Sequence, residues 1–263
     1  MKKLFAFALI LALTLTCVSA LAEVVGGEGY TVRTGLSYSE QWGPTVANVI
    51  EKDGAIVKVL FDTVRDGISS KEKYDNYGIK KVSTIDKEWW EQVAFVENWV
   101  EQNGLDSLEV TEDGYAANPD VVSGATFHVS YYAEALANAE AGVTEMEGYS
   151  VKTGFSYSEQ WGPTVANIIM KDGEVVKVLF DTVRDGQSSK EKFDNYGIKK
   201  VSSIGKDWWE QVAFVENYIE QNGLDSLEVT DEGYAANPDV LTGATIHVSY
   251  YADALADALS RGY

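Results

Sequence analysis

The chain is 263 residues long, 45% hydrophobic, and carries 41 acidic against 21 basic side chains, for a formal charge of −20. A surface of that sign repels nucleic acid and anionic lipid. The single cysteine excludes an intrachain disulfide and any metal centre built on several thiolates.

Met1-Lys2-Lys3 leads into an unbroken apolar run from Leu4 to Leu13, and Ala20-Leu21-Ala22 follows before Glu23. A short basic region, an apolar core and a small-x-small site read as a secretory signal over residues 1–22, cleaved after Ala22. Cys17 offers an alternative, a lipid anchor on its thiol, although Thr14-Leu15-Thr16 fits the small-residue pattern of such sites poorly. No later segment approaches the roughly 18 apolar residues of a membrane span. The expectation is an exported chain, tethered to a membrane only if Cys17 is acylated. Losing Lys2 and Lys3 takes the charge to about −22, which suits a basic redox partner as well as it suits solubility.

Gly29 through Ala139 aligns without a gap to Gly148 through Ala258, at an offset of about 119 residues and with roughly four positions in five identical. That period is far longer than a solenoid repeat, so each copy is expected to be a whole domain. The copies run over 28–140 and 148–260. Residues 141–147 form a linker that reaches no farther than about 25 Å, which makes the copies neighbours.

Within the first copy, Tyr30 to Tyr38 and Pro44 to Glu51 are β-branched and aromatic enough to be strands. Asp53-Gly54 turns the chain into Ala55 to Asp62, a hairpin signature. Lys87 to Gln102 places Trp90, Val93, Ala94, Val96 and Val100 on a helical period, and Asn103-Gly104 ends it. Trp89-Trp90 and Trp208-Trp209 lie on this helix and its copy, where one of each pair should face the core. Ser107 to Val110 is a further short strand. A polar loop with Pro119 follows, and a last helix runs to about Ala139. Strands early and helices late, without a βαβ rhythm, indicate an α+β fold in two tandem copies, each a small domain with an antiparallel sheet and packed helices.

Asp120-Val-Val-Ser-Gly-Ala-Thr126 recurs as Asp239-Val-Leu-Thr-Gly-Ala-Thr245. Apolar residues at helical spacing after Thr126 place the phrase at a helix start, with Ser123 or Asp120 near the cap. A helix start presents unpaired amides and the positive end of the macrodipole, which favour a phosphate there. Gly124 and Ala125, like Gly243 and Ala244, leave room beside the hydroxyl. The bland alternative is an ordinary N-cap. The second occurrence is not independent support, because a duplication copies a motif whether or not it works.

The pattern Asp-x-x-[Ser/Thr]-Gly-Ala-Thr resembles the flavinylation motif of the FMN-binding domain family, which occurs in subunits of the sodium-pumping quinone reductase and the Rnf electron-transport complex. The resemblance extends, in layout, to the strand, hairpin and helix order of each half. It implies covalent FMN, two per chain with one on each repeat, on Thr126 and Thr245 through phosphoester bonds. It also implies that Asp120, Asp239, Ser123 and Thr242 are read by a flavin transferase, which uses FAD and magnesium and releases AMP. Exported two-flavin carriers of this type pass electrons from a membrane donor to an extracytoplasmic acceptor. The poor lipid-anchor site and the lack of a membrane helix set this chain apart from the membrane-complex subunits.

A flavin ring needs flat apolar walls and a few polar groups along one edge. Three segments outside the helices offer them: the loop from Tyr38 to Pro44 with Trp42 and its copy with Trp161; Lys73 to Lys81 with Tyr77 and its copy with Tyr196; and Asp113-Gly114-Tyr115. Core-rim packing is the competing account of these aromatics. His128 and His247 are the only imidazoles, and a lone histidine beside a helix start is more often solvated than a metal ligand. Two other functional classes stay open: a non-redox surface module binding a ligand or protein through the same loops, and a flavin-dependent reductase, for which no substrate site is legible.

Overall fold

The computed structural model describes residues 23–71, 78–191 and 197–261. Residues 1–22, over which a secretory signal is expected, including Cys17, lie outside the described residues, as do Tyr77 and Tyr196. The fold is α+β, with two antiparallel five-stranded sheets. In the first, β1 (Glu23–Val25), β2 (Tyr30–Ser39), β3 (Gly43–Lys52), β4 (Ala55–Arg65) and β5 (Ile68–Ser69) follow one another in spatial order. The second repeats this with β6 (Glu145–Met146), β7 (Tyr149–Ser158), β8 (Gly162–Lys171), β9 (Glu174–Arg184) and β10 (Gln187–Ser188). Asp53 and Gly54 close the β3–β4 hairpin with φ of 51° and 80°, the positive values that a two-residue type I′ turn requires.

Each sheet is covered on one face by helices of its own half. These are α1 (Trp89–Asn103), the short α2 (Pro119–Val122) and α3 (Ser130–Ala141), and in the second half α4 (Ile198–Val201), α5 (Trp208–Asn222), α6 (Pro238–Leu241) and α7 (Ser249–Ser260). Ala47, Val49, Val59 and Phe61 meet Trp89, Val93, Val96, Val100, Tyr132 and Leu136 in the first helix-on-sheet core. α3 lies so close to β2 that a Cβ on Gly35 would stand 2.1 Å from the Ala135 carbonyl oxygen. Glu97 and Glu101 of α1 accept the Phe61 and Val59 amides at 2.6 and 3.0 Å, so side chains complete the open edge of β4.

The other faces of the two sheets pack on each other. Val32, Ile50 and Leu60 share a core with Phe155, Val165 and Val183, while Leu36, Val46 and Val64 share one with Val151, Ile169 and Leu179. Alternation along β3 and β4 thus sends one set of side chains to the helices and the next set to the opposite sheet. This explains why both strands read as nearly continuous apolar runs rather than as apolar-polar alternation. Each such fully buried aliphatic side chain contributes about 1.5–3 kcal/mol. Tyr38 stacks on Tyr149 at 4.9 Å and Tyr30 meets Tyr157 at 5.0 Å, reciprocal contacts that repeat across the interface.

Several local expectations change. Ser107 to Val110 is not a strand: Leu105–Ser107 form a 3-10 turn, held by the Ser107 hydroxyl on the Gly104 carbonyl at 2.6 Å, and Val110 makes only an isolated bridge to Ala116. The linker is not a free tether. Ala141 ends α3, the Leu36 amide donates to the Val143 carbonyl at 3.0 Å, and Glu145–Met146 form β6. The first sheet begins with β1 at Glu23, before the repeat becomes recognisable at residue 28.

Candidate functional site

The repeated phrase ends one helix rather than starting the next. Asn118 caps α2, its side chain accepting the Asp120 amide at 2.9 Å, and Ser123 is the C-cap. α3 begins four residues after Thr126, at Ser130. Its first amides are already used, since Val129 and Ser130 both donate to the Gly114 carbonyl, at 2.8 and 3.2 Å. The expectation of a phosphate seated on an open helix start is therefore replaced by a different local geometry.

Gln92, on the buried face of α1, organises that geometry. Its Oε1 accepts the Thr126 amide at 2.7 Å and lies 3.2 Å from Thr126 Oγ1, while its Nε2 donates to the Lys87 carbonyl at 3.0 Å. Ser83 Oγ completes the ring, 3.3 Å from Thr126 Oγ1. Gln211 does the same in the second half, at 2.7 Å from the Thr245 amide and 3.3 Å from Thr245 Oγ1, with Ser202 Oγ at 3.4 Å. Gln92 and Gln211 are fully buried. Neither was among the residues singled out from sequence, yet a signal exists: Gln92 occupies the same helical stripe as Trp89, Val93, Val96 and Val100. A polar residue on a core stripe calls for a partner.

Gly124 and Gly243 have a role other than leaving room for a phosphate. A Cβ on Gly124 would lie 2.3 Å from the Phe95 ring, and one on Gly243 2.2 Å from the Phe214 ring. The space beside the motif backbone is taken by an aromatic side chain. Lys87 Nζ sits 5.4 Å from the Phe95 ring centre and Lys206 Nζ 5.0 Å from that of Phe214. Ala125 and Ala244 are buried among the core residues.

Thr245 opens into a cleft of about 380 Å³ lined by Trp161, Ser202, Trp208, Tyr234, His247 and Tyr250, among others. That volume falls within the range of small-molecule sites. Trp161 lies 5.3 Å from the His247 ring and 5.7 Å from that of Tyr250, while Tyr234 lies 4.1 Å from His247. In the first half the same ring contacts recur, with Trp42 6.1 Å from His128 and Tyr115 4.2 Å from it. Arg65 and Arg184 stand over the Trp42 and Trp161 rings at 4.8 and 5.0 Å. The structure thus brings Trp161 and Thr245 to one cleft and gives Trp42 the equivalent neighbours.

Burial pushes the Tyr250 hydroxyl well above the usual tyrosine range, and it pushes Tyr251 up to about 12. Both stay neutral near pH 7. Trp208 Nε1 donates to Tyr251 Oη at 3.0 Å, which fixes the floor of the cleft. Two apolar side chains of the lining are open, Val201 at 84% exposed and Tyr234, and their counterparts Val82 and Tyr115 are exposed as well, as are Val122 and Leu241. Asp120, Asp239, Ser123 and Thr242 lie on the surface, with Ser123 Oγ donating to the Asp120 carbonyl at 2.6 Å and Thr242 Oγ1 to the Asp239 carbonyl at 2.7 Å.

Comparison with protein-family models, curated proteins and solved structures finds no match to this chain.

Proposed function

We propose that this chain is an exported flavoprotein that carries covalent FMN on Thr126 and Thr245 and shuttles electrons between a membrane donor and an extracytoplasmic acceptor. The observation that carries the reading is the environment of Thr245, which lines an aromatic cleft of about 380 Å³ walled by Trp161, His247, Tyr234 and Tyr250. Flat rings and a few polar edge groups are what an isoalloxazine would need. Trp161 and Trp42 would supply apolar faces to the ring. Neutral Tyr250 and its counterpart Tyr131 would keep a fixed proton inventory at the wall. Bound FMN supplies the electron transfer, and the protein sets its position and surroundings.

Each half serves in this reading as one flavin domain. The exposed Asp120, Ser123, Asp239 and Thr242 are accessible to a maturing flavin transferase. Covalent attachment suits an exported carrier, since a dissociated flavin would be lost to the medium. The exposed valines and tyrosines of each half also suit a non-redox binding module, and one measurement separates the two. The full chain is co-expressed with a flavin transferase in an exporting host and weighed intact. Two added FMN units are expected, with one lost in each of Thr126→Ala and Thr245→Ala. A chain without added mass removes the covalent reading and leaves the binding module.

A further inference from the structure

We infer that Gln92 and Gln211 are positioning residues for flavin attachment, holding the acceptor threonines in the geometry that the transfer requires; this rests on the flavin reading above. In each half a fully buried glutamine presents one carbonyl oxygen to both polar groups of the threonine, the amide at 2.7 Å and the hydroxyl at 3.2 or 3.3 Å. The glutamine is itself held, with Nε2 on the Lys87 carbonyl at 3.0 Å, or on the Lys206 carbonyl at 2.9 Å. Its rotamer is therefore fixed from both ends, and its Oε1 stands as an acceptor for the threonine hydroxyl beside the Ser83 or Ser202 hydroxyl.

The chemical consequence follows from the hydroxyl's electron pairs. With its proton directed at Gln92 Oε1, Thr126 Oγ1 turns lone pairs away from the buried amide. Attachment forms a bond from Oγ1 to the FMN-side phosphorus of FAD, and the bond between that phosphorus and the bridging oxygen breaks, the AMP half leaving with the electron pair. The hydroxyl proton goes to a base of the transferase, because a neutral amide does not take it. Gln92 thus orients the nucleophile without exchanging a proton. Ser83 Oγ, 3.3 Å from Thr126 Oγ1, is the second hydroxyl of the arrangement. Holding a reacting atom in line removes an orientational cost from the barrier.

The two halves provide an internal control, since they share the intersheet core. In the full chain, Gln92→Met keeps an unbranched side chain of similar length and removes the acceptor. With FAD and purified transferase, flavin mass on tryptic peptides is followed at each threonine. Attachment to Thr126 is expected to fall at least tenfold in kcat at unchanged KM, with Thr245 loading as in the parent. Gln92→Glu, which in this buried setting is held neutral and so keeps an acceptor oxygen for the threonine and an O–H donor for the Lys87 carbonyl, is expected to recover at least part of the loss. The reciprocal pattern is expected for Gln211→Met. Parent-like loading of Thr126 in Gln92→Met, an equal loss at both threonines, a change confined to KM, or no recovery in Gln92→Glu would each overturn the inference. Failure of the parent chain itself to take up flavin would instead remove the flavin reading on which it rests.

Discussion

Lys71 Nζ lies 3.5 Å from Asp181 Oδ2, a contact between residues 110 positions apart that joins the two halves inside the molecule. Lys190 and Asp62 make the reciprocal pair at 3.5 Å. Each lysine also holds a carboxylate of its own half, Glu97 at 2.8 Å and Glu216 at 2.7 Å. All of these groups are buried or nearly so. Burial opposes the Lys71 charge, but Glu97, Asp181 and Asp62 outweigh it and hold the ammonium above its usual range.

Lys71→Met removes the ammonium that Glu97 and Asp181 share, leaving the fully buried Glu97 carboxyl with only the weaker pull of Lys58 and pushing it further toward its protonated form. Breaking one partner out of a buried pair costs about 3–5 kcal/mol. Urea denaturation is expected to show a loss of that order, and the double variant Lys71→Met/Glu97→Gln is expected to recover much of it. Additive losses in the double variant would mean that the two residues are not coupled.

Burial raises the Glu97 carboxyl from 4.5 to about 7, against the pull of Lys71 and Lys58 and with a smaller push from Glu191. The folded chain therefore holds this proton more tightly than the unfolded chain does. The stability contributed by Glu97 protonation is fully present below about pH 4.5 and is lost as pH rises through about 7. Subtracting the stability of Glu97→Gln from that of the parent isolates this effect from the general acidity of the surface. The difference is expected to fall between pH 5 and pH 7 by up to roughly 1.4 kcal/mol per pH unit. A flat difference across that window would count against the raised carboxyl.

Gly35→Ala tests the contact between β2 and α3. The added Cβ would meet the Ala135 carbonyl oxygen and the Ala139 amide nitrogen, both at 2.1 Å and both backbone atoms. Overpacking commonly costs about 1–3 kcal/mol, and a rigid helix axis places this case at or above the upper end. Gly124→Ala meets the Phe95 ring instead, so its penalty is expected to shrink in a Phe95→Ala background, whereas Gly35→Ala has no such rescue. Equal penalties for Gly124→Ala with and without Phe95 would refute the ring contact.

A half-chain covering residues 145–261 exposes the face that buries Phe155, Val165, Ile169 and Leu179 in the intact molecule. The opposing face is its close copy, so the half-chain is expected to self-associate as a dimer by light scattering. Lys190 would then meet Asp181 of the second copy, as it meets Asp62 in the parent. A stable monomer would show that the intersheet contact depends on differences between the halves.

The α+β class, the duplication, the Asp53-Gly54 hairpin and the long helix were legible because each is written in local pattern: runs of β-branched and aromatic residues, a two-residue turn and a 3.6-residue stripe. The helix expected over 87–102 is Trp89–Asn103, and Trp89 rather than Trp90 is the member of its pair in the deep core. The helix start expected at Thr126 was misplaced, because the apolar spacing after the motif continues through Phe127 and His128 without showing that the Gly114 carbonyl takes the first amides of α3. In the candidate site, Thr245 and Trp161 were named from sequence and do share a cleft. Gln92 and Gln211 escaped notice since their partners lie 34 residues away along the chain.

Sequence alone determined the inventory: two nearly identical copies, their strands and helices, the acidic surface and the paired threonines. Tertiary structure alone decided what each buried polar group answers to. A residue's local period says which face it occupies, but whether that face meets a helix, the opposite sheet or water depends on chain segments far away. For that reason Lys71 could be counted as one more surface charge in the sequence and becomes, in the folded chain, the ion that joins Glu97 to Asp181. The same reason makes Thr126 a candidate attachment point in the sequence, while the partners of its hydroxyl, Gln92 and Ser83, are brought to it only by the fold.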